Sequence, residues 1–377
     1  MEIDRSEAHE LPDDRLPARA RKGRGAVTNR AGRYEPATTE LVDDGWSREE
    51  DELPPLRTTV TVDTSRSIIA HNKSPDVPFD RSINPYRGCE HGCVYCFARP
   101  THAWLGLSPG LDFESRLFVK PDAARLLEAE LAKPGYRPAV IAMGTNTDPY
   151  QPLERERRIT RQVLEVLSAC NHPVGIVTKS ALIARDADIL GPMAEKRLAR
   201  AFISITTLDR ELARKLEPRA PTPAKRLEAI RALSAAGVPV GVMVAPVIPV
   251  LTDTEIERIL AAAAEAGGTS AGHVMLRLPL EIKDLFVEWL EAHAPGKAKH
   301  VLDLVRDTRA GKLNDATFGR RMVGQGRYAE LIHKRFELAS RKLGLGLRDW
   351  HYDLSLFKPP KRKPAPARPD DRQLSLL

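Results

Sequence analysis

Cysteine is scarce in this chain, four in 377 residues. So few thiols in so long a sequence exclude a disulfide-stapled scaffold and leave ligands, nucleophiles or packing as their uses. Aromatic residues are also sparse, at 5%, but hydrophobic residues reach 42%. That is enough for a real core, so wholesale disorder is excluded. Long apolar runs are missing: the stretch 238–251 is among the longest, contains prolines and falls well short of a membrane span. No charged-then-apolar N-terminal segment reads as a secretory signal, so the expectation is a cytoplasmic protein with no membrane partner. The charge excess is mild, +7 from 58 basic and 51 acidic residues, and by itself establishes no polyanionic ligand.

What is present falls into four stretches. Residues 1–57 read as a disordered tail: seven basic residues and no acidic one lie between Arg15 and Arg33, and from Glu35 to Glu52 the sign reverses. The basic block would suit a polyanion, or be a solvated tail with no partner. Ordered sequence begins near Thr58. Strand patterns at 82–85, 139–144, 174–178, 201–206, 238–245 and 273–278 alternate with helical ones at 121–131, 153–170, 181–199, 223–236 and 254–266. Thr252 and Thr254, with Glu257, give a helix start, and Gly237 and Gly267 fall where helix ends take glycine. Strand–helix alternation at this spacing predicts right-handed βαβ units and a parallel sheet, doubly wound or barrel-like. Residues 281–357 read as a helical extension, with helices at 281–294, 298–310 and 327–343. Residues 358–377 read as a Pro/Lys-rich tail.

The strongest signal is Cys89-Glu90-His91-Gly92-Cys93-Val94-Tyr95-Cys96. Three thiolates can converge from one such loop, to which Gly88 and Gly92 lend backbone freedom. A structural zinc site wants a fourth ligand, commonly from a second cysteine pair, and none is here. A [4Fe–4S] cluster on three cysteines leaves one iron open, as catalysis requires. Zinc, redox thiols and packing stay as alternatives.

This CxxxCxxC, with an aromatic before its last cysteine and placed after the first strand of a repeating β/α chain, resembles the radical S-adenosylmethionine (SAM) enzymes. The resemblance spans about half the chain, residues 83–280. It implies a partial (β/α)6 barrel, a [4Fe–4S] cluster on Cys89, Cys93 and Cys96, and SAM as co-substrate. It implies reductive cleavage of SAM to a 5′-deoxyadenosyl radical, with flavodoxin or ferredoxin as reductant. By the same resemblance Tyr95 lies against adenine. The segment from Gly144 through Thr145, Asn146 and Asp148 receives the SAM amino group, although it departs from the commoner Gly-Gly-Glu form. Lys179 pairs with the SAM carboxylate, Ser204 hydrogen-bonds SAM, and the fifth strand offers adenine a flat surface at Ala245. A turn with its helix cap at Asp148-Pro149, a solvated Lys179, a Ser204 hydroxyl bonded to local backbone and plain core at Ala245 are the competing readings. Glu217 and Arg219 read as an exposed ion pair at a helix start or as SAM contacts. Arg99 and His102 follow the cluster closely enough to line the site. His102 and Tyr150 are the candidates for catalytic roles.

Tyr-Cys-Phe-Ala-Arg, Asp-Pro-Tyr-Gln-Pro-Leu-Glu, Thr-Lys-Ser and Ser-Ile-Thr-Thr-Leu-Asp resemble the spore photoproduct lyase-like subgroup, whose members are often labelled DNA repair photolyases. The resemblance implies a lyase acting on DNA. Named members of that subgroup use a further cysteine beyond the cluster to return hydrogen to the product, and this chain has none between Phe97 and Ala169. The alternatives are RNA, protein or metabolite modification, or a non-catalytic iron–sulfur or zinc module in a DNA-bound complex. Finally, Gln373-Leu374-Ser375-Leu376-Leu377 resembles the pentapeptide that docks on the bacterial sliding clamp, and Asp353-Leu354-Ser355-Leu356-Phe357 is a poorer match.

Overall fold

The computed structural model describes residues 20–35, 56–346 and 350–361. The Gln373–Leu377 motif and most of both expected tails lie outside the described residues. Six parallel strands form the body: β1 (Arg81–Ile83), β2 (Ile141–Met143), β3 (Val174–Thr178), β4 (Ala199–Ser204), β5 (Val240–Val247) and β6 (Ser270–Met275). They pair in that order, and Ile69–His71 adds an antiparallel edge beside β1. This is the expected partial (β/α)6 barrel, an open sheet with helices behind it. The strands are rich in Val, Ile and Ala because both faces are covered. Burial is complete for Ile141, Val174, Ile176, Ala201, Ile203, Val240 and Val242.

The outer helices are α1 (Ala123–Leu131), α2 (Ile159–Ala169), α3 (Ala187–Glu195), α4 (Pro223–Ala235) and α5 (Ile256–Glu265). The extension adds α6 (Ile282–His293), α7 (Pro295–Asp307) and α8 (Gly326–Lys342). Gly237 and Gly267 do end helices, at φ +76° and +95°. Two local expectations change. The pattern at 153–170 breaks at Arg158, φ +51°, because the buried Glu154 carboxylate caps the second piece, accepting from Thr160 N at 3.0 Å and Arg161 N at 3.3 Å. The helix α5 starts after Glu255, without a Thr cap; Thr252 instead accepts from Ile248 N at 2.8 Å.

An open barrel exposes strand edges, and an unpaired edge invites aggregation. On β6 two free donors are taken by the extension: Ala271 N donates to Leu345 O and Met275 N to Met322 O, both at 2.9 Å.

Residues 20–35 correct the tail assignment. They pack against the body through backbone contacts that no apolar period would announce. Gly25 N and Ala26 N donate to the two Glu114 carboxylate oxygens at 2.9 and 2.8 Å. Three arginines of the basic block are spent within the chain: Arg24 on Glu114 O at 2.7 Å, and Arg30 and Arg33 on Glu288 and Glu281, each at 3.1 Å. The Phe357 of the poorer clamp match is also engaged, its ring 5.6 Å from Tyr136 and 5.4 Å from His172.

Candidate active site

The cysteine loop leaves the barrel directly after β1. Tyr86–Arg87 pairs antiparallel with Arg116–Val119, which is flanked by Thr59–Val62, so a small second sheet holds the start of the loop. Gly88 takes φ +74° and Gly92 φ +67°, and both positions are crowded. A Cβ on Gly92 would meet Glu114 Oε2 at 2.7 Å.

Three side chains whose role no motif announces fix the loop. Gln151 Oε1 accepts from Glu90 N at 2.9 Å while its amide donates to Gly88 O at 3.1 Å. Glu114, fully buried, receives the N-terminal segment. Arg99 uses all five of its N–H groups: Nε on Cys93 O, Nη1 on Pro109 O and Gly110 O, Nη2 on Gly92 O and on Glu114 Oε1. Arg99 therefore lies beneath the loop and does not line the site. The Tyr-Cys-Phe-Ala-Arg motif includes it but does not announce this buried role.

Above the C-terminal strand ends lies a cavity of about 530 Å³, where such folds keep their chemistry. Its wall carries Cys89, Cys93 and Cys96, then Tyr95, Gly144, Thr145, Asn146, Asp148, Lys179, Ser204 and Ala245. The structure thus brings together all the residues expected for cluster and SAM. Burial, the leading cause in each case, pushes the three thiols up. Such thiols gain most from metal, which displaces the proton. Among the described residues no three His, Cys, Asp or Glu side chains could hold a single metal ion. Three thiols on the wall of one roomy cavity fit a multi-iron cluster with one cysteine per iron.

Geometry refines the rest. Gly144 is required: φ is +86°, and a Cβ there would lie 1.8 Å from Val177 O of β3. Gly144→Ala should lower the apoprotein's stability by about 2–5 kcal/mol, read from its urea midpoint. A change below about 0.5 kcal/mol would show that the loop has room to yield.

Asp148 is committed within the chain. It accepts from Thr178 Oγ1 at 2.6 Å, Lys179 N at 2.8 Å and Tyr150 N at 2.9 Å, with His91 Nδ1 at 3.4 Å. Burial opposes its charge, but His91 and these donors outweigh it and hold the carboxyl at about 2. Asp148 therefore ties the second strand end to the third, leaving Thr145 and Asn146 as freer acceptors.

Glu217 is not the exposed group expected. It is buried, and it accepts from Tyr95 OH, from Arg226 Nη2 and from Thr206 Oγ1 at 2.6 Å, with Lys179 Nζ at 4.0 Å. Burial would raise its carboxyl; Arg226, then Lys179, prevail and hold it at about 2. Lys179 also sits 5.6 Å over the Tyr95 ring. Arg226 Nη1 donates to Ser204 O at 3.0 Å, so one buried pair aligns Tyr95, Lys179 and Ser204. Arg219 instead bridges to Glu90 at 3.0 Å.

His102 and Tyr150 are corrected. After Cys96 the chain enters a 3-10 helix, Arg99–Leu105, which carries His102 away from the cavity. Its Nε2 lies 2.9 Å from Arg116 O and its ring packs on Phe113 and Phe118; burial lowers its pKa. Tyr150 is fully buried beside Asp186, off the cavity wall; burial, then Asp186, raises its phenol. Cys170 also lies off the cavity wall, at the end of α2, where its carbonyl accepts from Lys358 N at 2.9 Å. Among the described residues no helix is long and apolar enough to cross a membrane.

The family model described as the radical SAM superfamily matches residues 83–263. An uncharacterised protein of Mycobacterium tuberculosis is 38% identical over 242 residues, covering 63% of this chain and 71% of its own. An uncharacterised protein of Methanocaldococcus jannaschii is 28% identical over 173 residues, 46% of this chain and 62% of its own. Spore photoproduct lyase complexed with dinucleoside spore photoproduct superposes at TM-score 0.52 and 16% identity, over 75% of this chain and 78% of that one. A mutant of the same enzyme with bound AdoMet and dinucleoside spore photoproduct gives the same values. At that identity the likeness is one of fold. With the cysteine-lined cavity at the mouth of a six-stranded half-barrel, the family match and the M. tuberculosis relative establish that this chain belongs to the radical SAM superfamily.

Proposed function

We propose that the protein abstracts a hydrogen atom from a nucleic acid, DNA in the first instance, using SAM and a [4Fe–4S] cluster held by Cys89, Cys93 and Cys96. The superfamily works with that cluster and SAM. The observation that carries the reading is the shared cavity: three thiols, an acceptor-bearing loop and an apolar floor open together at the strand ends. When bound, the cluster supplies the electron that breaks the SAM sulfonium and yields the 5′-deoxyadenosyl radical. This chain's residues bind and orient. Thr145 and Asn146 offer oxygens to the SAM amino group. Lys179, held near Glu217, faces its carboxylate. Ser204 donates a hydroxyl, and Tyr95 with Ala245 and Pro246 gives adenine an apolar surface. A flavodoxin or ferredoxin is the expected reductant.

Two features favour nucleic acid over the other substrate classes. The cavity wall carries Arg277 beside the exposed Phe97 ring, the pairing of charge and ring that nucleotides use. Spore photoproduct lyase, which shares the fold, is complexed with a dinucleoside photoproduct. Hydrogen return differs from the subgroup pattern. Apart from the three loop cysteines, no thiol stands on the cavity wall among the described residues, and Tyr95 is its only phenol.

The test is isotopic. Reconstituted enzyme, dithionite and SAM are mixed anaerobically with uniformly deuterated DNA, irradiated and unirradiated. Deuterium appearing in 5′-deoxyadenosine is the expected result. Undeuterated 5′-deoxyadenosine formed at the same rate with and without DNA would remove DNA as substrate and leave the superfamily chemistry intact.

A further inference from the structure

Besides the thiols and Tyr95, five ionisable side chains stand on the cavity wall: His91, Asp148, Lys179, Arg277 and Arg321. Four are balanced. His91 faces Asp148 at 3.4 Å, Lys179 faces Glu217 at 4.0 Å, and Arg321 is paired with Asp76. Arg277 is the exception: among the described residues no carboxylate lies within ion-pair distance of it. Its Nη1 reaches only Met322 Sδ at 3.3 Å, and its Nε is buried with no hydrogen-bond partner. A half-buried guanidinium with no ion pair of its own is costly, because arginine cannot shed its proton to escape desolvation. Burial, and after it the neighbouring Arg321, lowers its pKa; the Asp76 carboxylate, already paired with Arg321, offsets this only in part.

The surroundings are built to hold that side chain. Arg277 lies two residues beyond the end of β6. Its guanidinium sits 5.7 Å from the Phe97 ring, which is 50% exposed and adjoins Cys96. Behind it, the segment before α8 is pinned: Arg321 donates to Asp76 and to Ser74 Oγ at 2.5 Å, Gly319 N donates to Asp76 at 2.6 Å, and Arg309 donates to Leu276 O at 2.7 Å. The loop is thus fixed by other arginines, and Arg277 is left over.

We propose that Arg277 binds a phosphate of the substrate strand, with Phe97 stacking a neighbouring base, so that it is a specificity-determining residue at the mouth of the site. A planar fork suits two phosphate oxygens at once, and an exposed ring beside it accepts any base. The inference rests on the nucleic-acid reading given above and names the group by which that substrate is held.

The test compares two short probes on reconstituted enzyme with SAM: the dinucleotide TpT and its uncharged methylphosphonate analogue. At this length distant basic residues contribute little. The unaltered enzyme should bind TpT at least about tenfold more tightly than the analogue, as loss of a charged hydrogen-bonded contact implies. Arg277→Met should erase that preference by weakening TpT alone, and Arg277→Lys should restore part of it, which a merely structural role would not do. Cluster absorbance of each variant reports that the site has assembled, and SAM affinity should stay within about twofold. Equal binding of both probes by the unaltered enzyme would overturn the role of Arg277 and leave nucleic acid as a substrate. Binding of neither probe would overturn both readings. Loss of SAM affinity in Arg277→Met would assign the guanidinium to the co-substrate and also contradict the proposal.

Discussion

Arg99→Met is expected to cost the protein both stability and its iron. The guanidinium is fully buried and its five N–H groups end on five acceptors, two of them the carbonyls of Gly92 and Cys93 inside the cysteine loop. Removing it leaves the buried Glu114 carboxylate without its ion pair, held by the Gly25 and Ala26 amides with Arg24 nearby as a remaining positive charge. Breaking a buried pair in this way costs about 3–5 kcal/mol. The loop carbonyls then lose what orients them, and the cysteines of the same loop are no longer held at the cavity wall. Iron per chain after reconstitution should fall several-fold, and the unfolding midpoint of the apoprotein should drop with it. Arg99→Lys should fail almost as badly, because a point charge cannot serve five acceptors in a plane. Full iron loading in Arg99→Met would show that the loop is held by other contacts.

Glu217→Leu should have an effect of similar size for a different reason. It leaves Arg226 buried without its counter-charge and Tyr95 OH with Thr206 Oγ1, 3.1 Å away, in place of the carboxylate. A loss of about 3–5 kcal/mol is expected. The double variant Glu217→Leu with Arg226→Met separates two roles. Replacing both charges by apolar groups should recover most of the stability. It should not recover SAM binding, because the Tyr95 ring, Lys179 and the Ser204 backbone lose the pair that aligned them. An isothermal titration with SAM on the double variant reads this directly. Stability regained together with unaltered SAM affinity would reduce Glu217 to a core ion pair.

The six parallel strands are legible in the sequence because each is a short β-branched or small-residue run followed by an amphipathic helix, and that grammar is local. Boundaries drift where flanking residues are equally apolar: the run expected at 201–206 pairs as Ala199–Ser204. The three cysteines are legible because their spacing is itself the signal. What is lost lies across the fold. Glu217 reads as a surface residue, yet Tyr95, over a hundred positions earlier, and Arg226 in the following helix bury it. His102 is near Cys96 in sequence, but within Arg99–Leu105 its ring turns to Arg116 O and the Phe113 and Phe118 rings and stays off the cavity wall. The packed segment at 20–35 is invisible in the sequence because its own backbone amides and polar side chains, not an apolar stripe, make its contacts. Gly25 approaches Gly92 O so closely that a Cβ would lie 1.7 Å away. Arg277 does leave a trace, as a single charge in the apolar Leu276-Arg277-Leu278.

The proposed chemistry depends on Cys89, Cys93 and Cys96 holding the cluster at which SAM would be cleaved. The most direct measurement is anaerobic. The protein is reconstituted with iron and sulfide, given dithionite and SAM, and 5′-deoxyadenosine is quantified beside a Cys93→Ala control. The expected result is about four irons per chain, product from the unaltered protein and none from the variant. Zinc retained in place of iron with no product, or product that persists in Cys93→Ala, would contradict it.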